Sequence, residues 1–237
     1  MHPQLPLSFG HSDSKTFESF FAAENMLLLD RLQRFAVDSD SDQQLMVWGA
    51  SGSGKTHLLN ACCHAAAAAG FRIAFLPADL ITTPHVFDGL EHCNLVCVDD
   101  VDRIPRSREL EIGLFNLVNA MRQSDQRLLF SSGRAPADLS ILLPDLRTRL
   151  GWGATYQVQQ LTVTEVRAAI QAAAARTGLS IDDSVLDYLL NNFARDVESQ
   201  LDNLKKLDAA SMQTQRRITI PLVRDVLLPE TERPVSV

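Results

Sequence analysis

Trp48-Gly49-Ala50-Ser51-Gly52-Ser53-Gly54-Lys55-Thr56 fits the pattern G-x-x-x-x-G-K-[ST], and its setting decides how the rest of the chain is read. An apolar run, Leu45-Met46-Val47-Trp48, precedes it. A helical pattern from Thr56 to Ala69 follows and ends at Gly70. Strand, glycine-rich turn and helix in that order make a phosphate-binding loop. Glycines let backbone N–H groups turn inward around phosphate oxygens, and the helix N-terminus adds positive potential. The candidate nucleotide-binding residues are Gly49, Ser51, Gly52, Ser53, Gly54, Lys55, Thr56 and His57. Lys55 is expected to reach the β/γ-phosphates, and the Thr56 hydroxyl to ligate Mg²⁺. An ordinary Gly/Ser turn would leave the order of strand, loop and helix unexplained. The sequence therefore implies a bound nucleotide, ADP or ATP.

Outward from this loop, short β-rich runs alternate with helical patterns between residues 45 and 160: Leu45–Trp48, Arg72–Leu76, Leu95–Val98, Leu128–Ser131 and Thr155–Val158. Such alternation predicts a parallel five-stranded sheet covered by helices on both faces. The helix expected over Glu109–Arg122 places Leu110, Leu114, Leu117, Val118 and Met121 on one face. After about residue 161 the period changes. Only Arg217–Ile220 still reads as strand, among amphipathic segments at Thr164–Thr177, Asp182–Phe193, Asp196–Met212 and Pro221–Leu228. Asp196 reads as an N-cap, with Val197, Leu201, Leu204 and Leu207 on a common face, and Pro221 suits a first helical position. The expected fold class is α/β, a P-loop core with a small all-helical lid, the layout of an AAA+ ATPase. Residues 1–12 form a tail, 13–160 the nucleotide-binding domain and 161–237 the lid. The acidic Asp38–Asp42 run reads as a solvated loop.

The 237 residues have room for one large domain or two small ones. Apolar content of 46% and charged content of 22% are those of a soluble globular protein. The net charge of −7 argues against a protein that wraps duplex DNA irrespective of sequence, which needs a basic face. No apolar run approaches the ~20 residues of a membrane span, so no membrane partner is expected. The N-terminus lacks the basic start and apolar core of a signal peptide. Cys62 and Cys63 are adjacent, while Cys93 and Cys97 flank Asn94-Leu95-Val96. None forms C-x-x-C and the six histidines are scattered, so zinc is not expected. Two of the four cysteines lie in apparent core segments, which suits structural thiols in a reduced, cytoplasmic protein.

Leu95-Val96-Cys97-Val98-Asp99-Asp100 is a buried strand ending in paired carboxylates, one βα unit after the phosphate loop. This is the Walker B pattern. Asp99 is the candidate Mg²⁺ holder with Thr56, and Asp100 the candidate catalytic group that polarises the attacking water. AAA+ ATPases mostly carry glutamate at the second position, so the shorter Asp100 has further to reach.

Three stretches together are similar to the AAA+ domain of the DnaA family of bacterial replication initiators: Gly54–Ala61, Val98–Val101 and Arg149-Leu150-Gly151-Trp152-Gly153. In DnaA a helicase-contacting domain precedes this core, and a helix-turn-helix domain for origin duplex follows the lid. Neither is read here, and the chain resembles the Hda family of DnaA-related regulatory inactivators over about residues 4–228. The resemblance implies a cytoplasmic negative regulator of chromosomal replication initiation, nucleoid-associated during replication. Its implied partners are DnaA and the DNA polymerase III sliding clamp (beta), with DNA met indirectly through the clamp. It would promote hydrolysis of DnaA-bound ATP while hydrolysing little itself. The different expectation that the P-loop also allows is an autonomous ATP-driven loader or initiator-type ATPase.

Gln4-Leu5-Pro6-Leu7-Ser8-Phe9 fits Q-x-x-L-x-F, the peptide pattern that docks on the clamp. The Gln4 amide would fill a small polar pocket, with Leu5, Leu7 and Phe9 supplying apolar contacts. In the resembled family the arginine at position 149 is the arginine finger that acts on a neighbouring protomer's nucleotide, which also allows a homo-oligomer; Arg147 is its rival. Two positions depart from the family. Its Ser-Asp-Arg first sensor reads Ser132-Gly133-Arg134 here, and its second-sensor arginine falls on Glu198, with Arg195 one turn earlier. Both changes imply weak sensing of the γ-phosphate, hence slow turnover and a preference for ADP.

Overall fold

The computed structural model describes residues 15–38 and 42–228. The chain divides into two compact units, Met1–Gln160 and Leu161–Val237. In the first, α1 (Met26–Val37) leads to β1 (Gln44–Trp48), α2 (Lys55–Ala68), β2 (Ile73–Pro77), β3 (Leu95–Asp99), α3 (Arg108–Gln123), β4 (Arg127–Ser132), α4 (Pro144–Leu150) and β5 (Ala154–Gln157). The strands make one sheet in the order β2-β3-β4-β1-β5, and every pairing is parallel. Each of the five strands expected between residues 45 and 160 is present to within one residue at either end.

Side chains along a strand alternate between faces, and here each face has its own core. Met46, Val96, Val98, Leu128 and Phe130 pack with α3 and α4 through Leu110, Leu114, Leu117, Val118, Met121, Leu146 and Leu150. Leu45, Val47, Leu95, Cys97 and Leu129 pack on the opposite face with α1 and α2 through Leu28, Leu32, Phe35, Leu58, Leu59, Cys62 and Cys63. Three cysteines, Cys62, Cys63 and Cys97, are therefore buried, one more than the sequence suggests. Burial pushes the Cys62 and Cys97 thiols well above their ordinary range, which keeps them protonated and unreactive.

Two helices go beyond the sequence expectation. α1 buries Leu28, Leu32, Phe35 and Ala36, and its C-terminal end is fastened by buried Arg127, whose guanidinium donates to the Phe35 carbonyl at 2.5 Å. α4 is a short helix opened by Pro144.

The second unit is helical: α5 (Val163–Thr177), α6 (Asp183–Asn192), α7 (Val197–Thr214) and α8 (Ile220–Leu227), around Val166, Ile170, Leu186, Leu189, Leu204, Leu207 and Val223. Thr162 and Glu165 form a reciprocal capping box at α5. Asp196 caps α7 by accepting from the Ser199 N–H at 2.8 Å. The strand expected at Arg217–Ile220 is absent. Ile218 is buried in the helical core and Ile220 opens α8 with Pro221 behind it, one residue later in the helix than expected. With no strand to pair with among the described residues of this unit, β-branched side chains serve as core filling instead. Among the described residues, no helix is long and apolar enough to cross a membrane.

Candidate nucleotide site

The C-terminal ends of β1, β3 and β4 converge on the phosphate loop. After Trp48 the Gly49 N–H donates to the Ser132 carbonyl at 3.1 Å, which anchors the loop to β4. Gly52 and Gly54 take φ of 76° and 96°, the left-handed backbone that glycine adopts without penalty. At Gly54 there is also no room: a Cβ would lie 2.7 Å from the Phe20 ring. The chain then enters α2, with Lys55 buried in its first turn.

Lys55 Nζ donates to the Gly49 and Ala50 carbonyls at 2.9 and 3.0 Å, so its charge is held inside the loop. Ser53 Oγ is buried there without a hydrogen-bond partner. A buried ammonium and an orphaned hydroxyl are what a loop shaped for phosphate oxygens presents, because a bound phosphate would satisfy both. The residues present fit a nucleotide.

Thr56 Oγ1 donates to Asp99 Oδ2 at 2.7 Å. Ser131 Oγ donates to the other oxygen of the same carboxylate and accepts from the Asp100 N–H at 2.7 Å. Thr56 and Asp99 thus present neighbouring oxygen donors. Among the described residues no group of three or more His, Cys, Asp or Glu could hold a metal. That donor set suits Mg²⁺, which binds through one or two protein oxygens, with substrate phosphates and water completing its shell.

Asp100 takes φ 55°, turning the chain sharply out of β3. Its carboxylate pairs with Arg103 at 3.2 Å instead of standing free toward the loop. Burial, then the neighbouring Asp99, push its carboxyl up, against the pull of Arg103 and Lys55. His57 is placed differently from the other loop residues. Its Nε2 lies 2.9 Å from the Thr16 carbonyl and 3.3 Å from Ser19 Oγ, and its ring packs on Phe20 with centroids 5.4 Å apart. It fastens residues 16–20 across the start of α2.

At the end of β4, Ser132 Oγ accepts from the Arg134 N–H at 3.0 Å, so the hydroxyl that faces the Walker B carboxylate belongs to Ser131. Beside Gly133 lies another carboxylate. Asp102 Oδ1 accepts the Gly133 N–H at 2.9 Å, and a Cβ on Gly133 would lie 3.0 Å from its other oxygen. In the helical unit, Arg195 Nε donates to the Leu190 carbonyl at 3.0 Å, closing the end of α6. Glu198 lies in the first turn of α7, where a carboxylate is favoured. Gln4, Leu5, Leu7 and Phe9 lie outside the described residues.

Arg149 sits elsewhere. Its carbonyl accepts from Gln44 Nε2 at 2.8 Å, and Gln44 is the first residue of β1. The phosphate loop begins after Trp48, the last residue of that strand. At ~3.3 Å per residue, the strand separates the two by about 13 Å. The guanidinium lies 4.7 Å from the centroid of Phe115 on α3 and 4.6 Å from that of Trp152. Arg122, in the last turn of α3, lies 4.4 Å from the same indole. Arg147 is exposed. Ser131, Arg103, the Phe20 segment and Phe115 are the site neighbours that sequence patterns alone did not single out. Ser131, next to the sensor stretch, and Arg103, two residues after Val98–Val101, lay close to recognised motifs.

Residues 11–157 match the family described as the bacterial DnaA ATPase domain, and residues 164–227 match the Hda lid domain. An uncharacterized Haemophilus influenzae protein is 37% identical over 232 residues, which cover 96% of this chain and 99% of that protein. Domain III of Thermotoga maritima DnaA shares the fold with a TM-score of 0.76 at 17% identity, over 92% of this chain and 99% of that one. AMPPCP-bound DnaA from Aquifex aeolicus gives 0.73 at 22% identity, over 86% and 68%. The α/β unit and the helices after it place this chain in the bacterial DnaA ATPase family, as an Hda-like, DnaA-related AAA+ replication regulator.

Proposed function

We propose that the chain is a nucleotide-bound negative regulator of replication initiation that completes ATP hydrolysis in DnaA by supplying Arg149. ADP or ATP sits on Gly49–Thr56, with Mg²⁺ held by Thr56 and Asp99, and orders the core. Gln4, Leu5, Leu7 and Phe9 tether the protein to the sliding clamp, so that it meets DNA through the clamp. Ser132, Gly133, Arg195 and Glu198 leave γ-phosphate sensing weak, and Asp100 is paired with Arg103, so turnover of its own nucleotide is slow.

The observation that carries this reading is the place of Arg149. Its backbone lies at the start of β1 and the chain's own phosphate loop lies beyond the end of it. An arginine so placed cannot serve the nucleotide of its own chain. It suits phosphate charge presented by another protein, where a planar, permanent fork stabilises the transition state.

The test is a turnover assay of labelled ATP on DnaA with clamp, DNA and each variant. Arg149→Ala is expected to lower hydrolysis by roughly the 10³–10⁵ that arginine fingers contribute, with folding, nucleotide binding and clamp binding retained. Arg149→Lys should restore little and Arg147→Ala should cost little. Full activity from Arg149→Ala would remove the assignment. Brisk hydrolysis by the protein alone would favour the autonomous loader.

A further inference from the structure

An arginine that acts on another molecule has to be extended toward it and yet oriented. A free arginine side chain loses rotamer entropy when it is fixed in a transition state, and that loss lowers the rate. Arg149 already has neighbours that remove much of this freedom. Its carbonyl accepts from Gln44 Nε2 and from the Trp152 N–H, at 2.8 and 3.2 Å. Its guanidinium lies within 5 Å of both the Phe115 and the Trp152 ring centroids, inside the range of cation–π attraction.

The indole itself is held. Arg122 contacts it from α3. On its other side in sequence, Gly153 passes so close to β1 that a Cβ there would lie 2.0 Å from the Gln44 carbonyl oxygen. Trp152 nonetheless remains 49% exposed. The arginine–ring contacts do not touch the phosphate loop of this chain. The half-exposed indole thus carries two guanidinium groups, those of Arg149 and Arg122.

We propose that Trp152, backed by Phe115, is a positioning residue for Arg149: its ring face sets the plane in which the guanidinium is offered to the nucleotide of the partner protein. This rests on Arg149 acting in trans. Trp152 touches no reacting atom and works through the arginine alone. A flat face is what the role needs, not bulk, so the two can be separated by substitution.

The experiment uses full-length chain, clamp, DNA and ATP-loaded DnaA, and follows single-turnover hydrolysis against the concentration of the regulator. Trp152→Leu is expected to lower the plateau rate about tenfold, less than the ~10² that a ~1 Å misplacement of a reacting group can cost, with the half-saturating concentration unchanged within about twofold. Trp152→Phe, which keeps a ring face, should restore the plateau to within about threefold of wild type. Arg149→Ala with Trp152→Leu should be no slower than Arg149→Ala alone, because the indole acts only through the guanidinium. If Trp152→Leu unfolds, Phe115→Leu tests the other wall with the same expectations.

A wild-type plateau from Trp152→Leu overturns the proposal while leaving the finger intact, provided Arg149→Ala is inactive. A raised half-saturating concentration at normal plateau overturns it in favour of a simple docking contact. A faster plateau overturns it by showing that the rings hold Arg149 back. Full activity from Arg149→Ala removes the finger and this role with it.

Discussion

At the C-terminal edge of the sheet, charges are buried and tied by hydrogen bonds. Lys55 donates to loop carbonyls, and Asp99 accepts from Thr56 on one oxygen and from Ser131 on the other. At the N-terminal edge, Arg149 and Arg122 lie against the faces of Phe115 and Trp152, half in solvent. On the proposed function, the difference follows from what each edge would do. A site that receives a small ligand can enclose its charges, and enclosed charges need hydrogen-bonded partners. A charge offered to another protein, as proposed for Arg149, would have to stay accessible, and flat apolar surfaces can steady it while leaving its donors unpaired. Hydrogen bonds would tie those donors down.

The largest expected effect tests the enclosed edge. At a nucleotide concentration of about 100 times Kd, wild type should gain roughly 2.7 kcal/mol of stability from binding. Lys55→Ala should gain none, while its melting without nucleotide stays near wild type. Calorimetric titration and nucleotide-dependent melting check this, and a Lys55→Ala chain still stabilised by ADP would show that the loop does not depend on its ammonium.

Gly153→Ala asks whether the exposed edge is as rigid as it looks. Its Cβ would fall 2.0 Å from a backbone oxygen of β1, so β5 must shift away from β1. A cost of about 2 kcal/mol is expected in urea unfolding, the range of overpacked sites. Trp152 would move with the strand, so hydrolysis on DnaA should fall as well. Loss of stability without loss of that activity would separate the sheet from the arginine corner.

Ser131→Ala probes the network around Asp99 and should cost about 1 kcal/mol, because it leaves the Asp100 N–H unpaired. It should also weaken nucleotide affinity more in the presence of Mg²⁺ than in EDTA, since Asp99 loses the donor that orients it. An equal loss in both conditions would confine Ser131 to a structural role.

The same contrast explains what the sequence made legible. The phosphate loop and the Asp99-Asp100 pair were readable because each is a run of consecutive residues whose order is itself the chemistry. Five strands were readable from apolar runs bounded by turns. Ser131 was not, because it acts from β4 on a carboxylate of β3, 32 residues away in sequence. The Phe115–Arg149–Trp152 contacts join α3 to the end of α4, and no local pattern announces a cation over a ring. α1 did carry a helical period in Leu28, Leu32, Phe35 and Ala36, overshadowed by the acidic run after it. Arg217–Ile220 failed in the other direction: a β-rich composition says that side chains want a packed surface, and in the helical unit helices supply it.

The smallest expected effect concerns Gly133, where an aspartate of the resembled family is missing. A Cβ here would lie 3.0 Å from Asp102 Oδ2. That is tight, yet the neighbour is the end of an exposed side chain on a short turn, which can rotate away. Gly133 has an ordinary negative-φ backbone, unlike Gly52 and Gly54, so alanine brings no backbone strain. The loss is one hydrogen bond from the Gly133 N–H to a solvated carboxylate, and water replaces it. Gly133→Ala is therefore expected to change unfolding free energy by less than about 0.5 kcal/mol and to leave ADP affinity as it is. Gly133→Asp differs because it sets a second carboxylate against Asp102, and like charges so close oppose each other. It should raise ATP turnover only when Asp102→Ala accompanies it. A gain from Gly133→Asp alone would mean that Asp102 does not hold the position, and that the missing side chain by itself limits turnover.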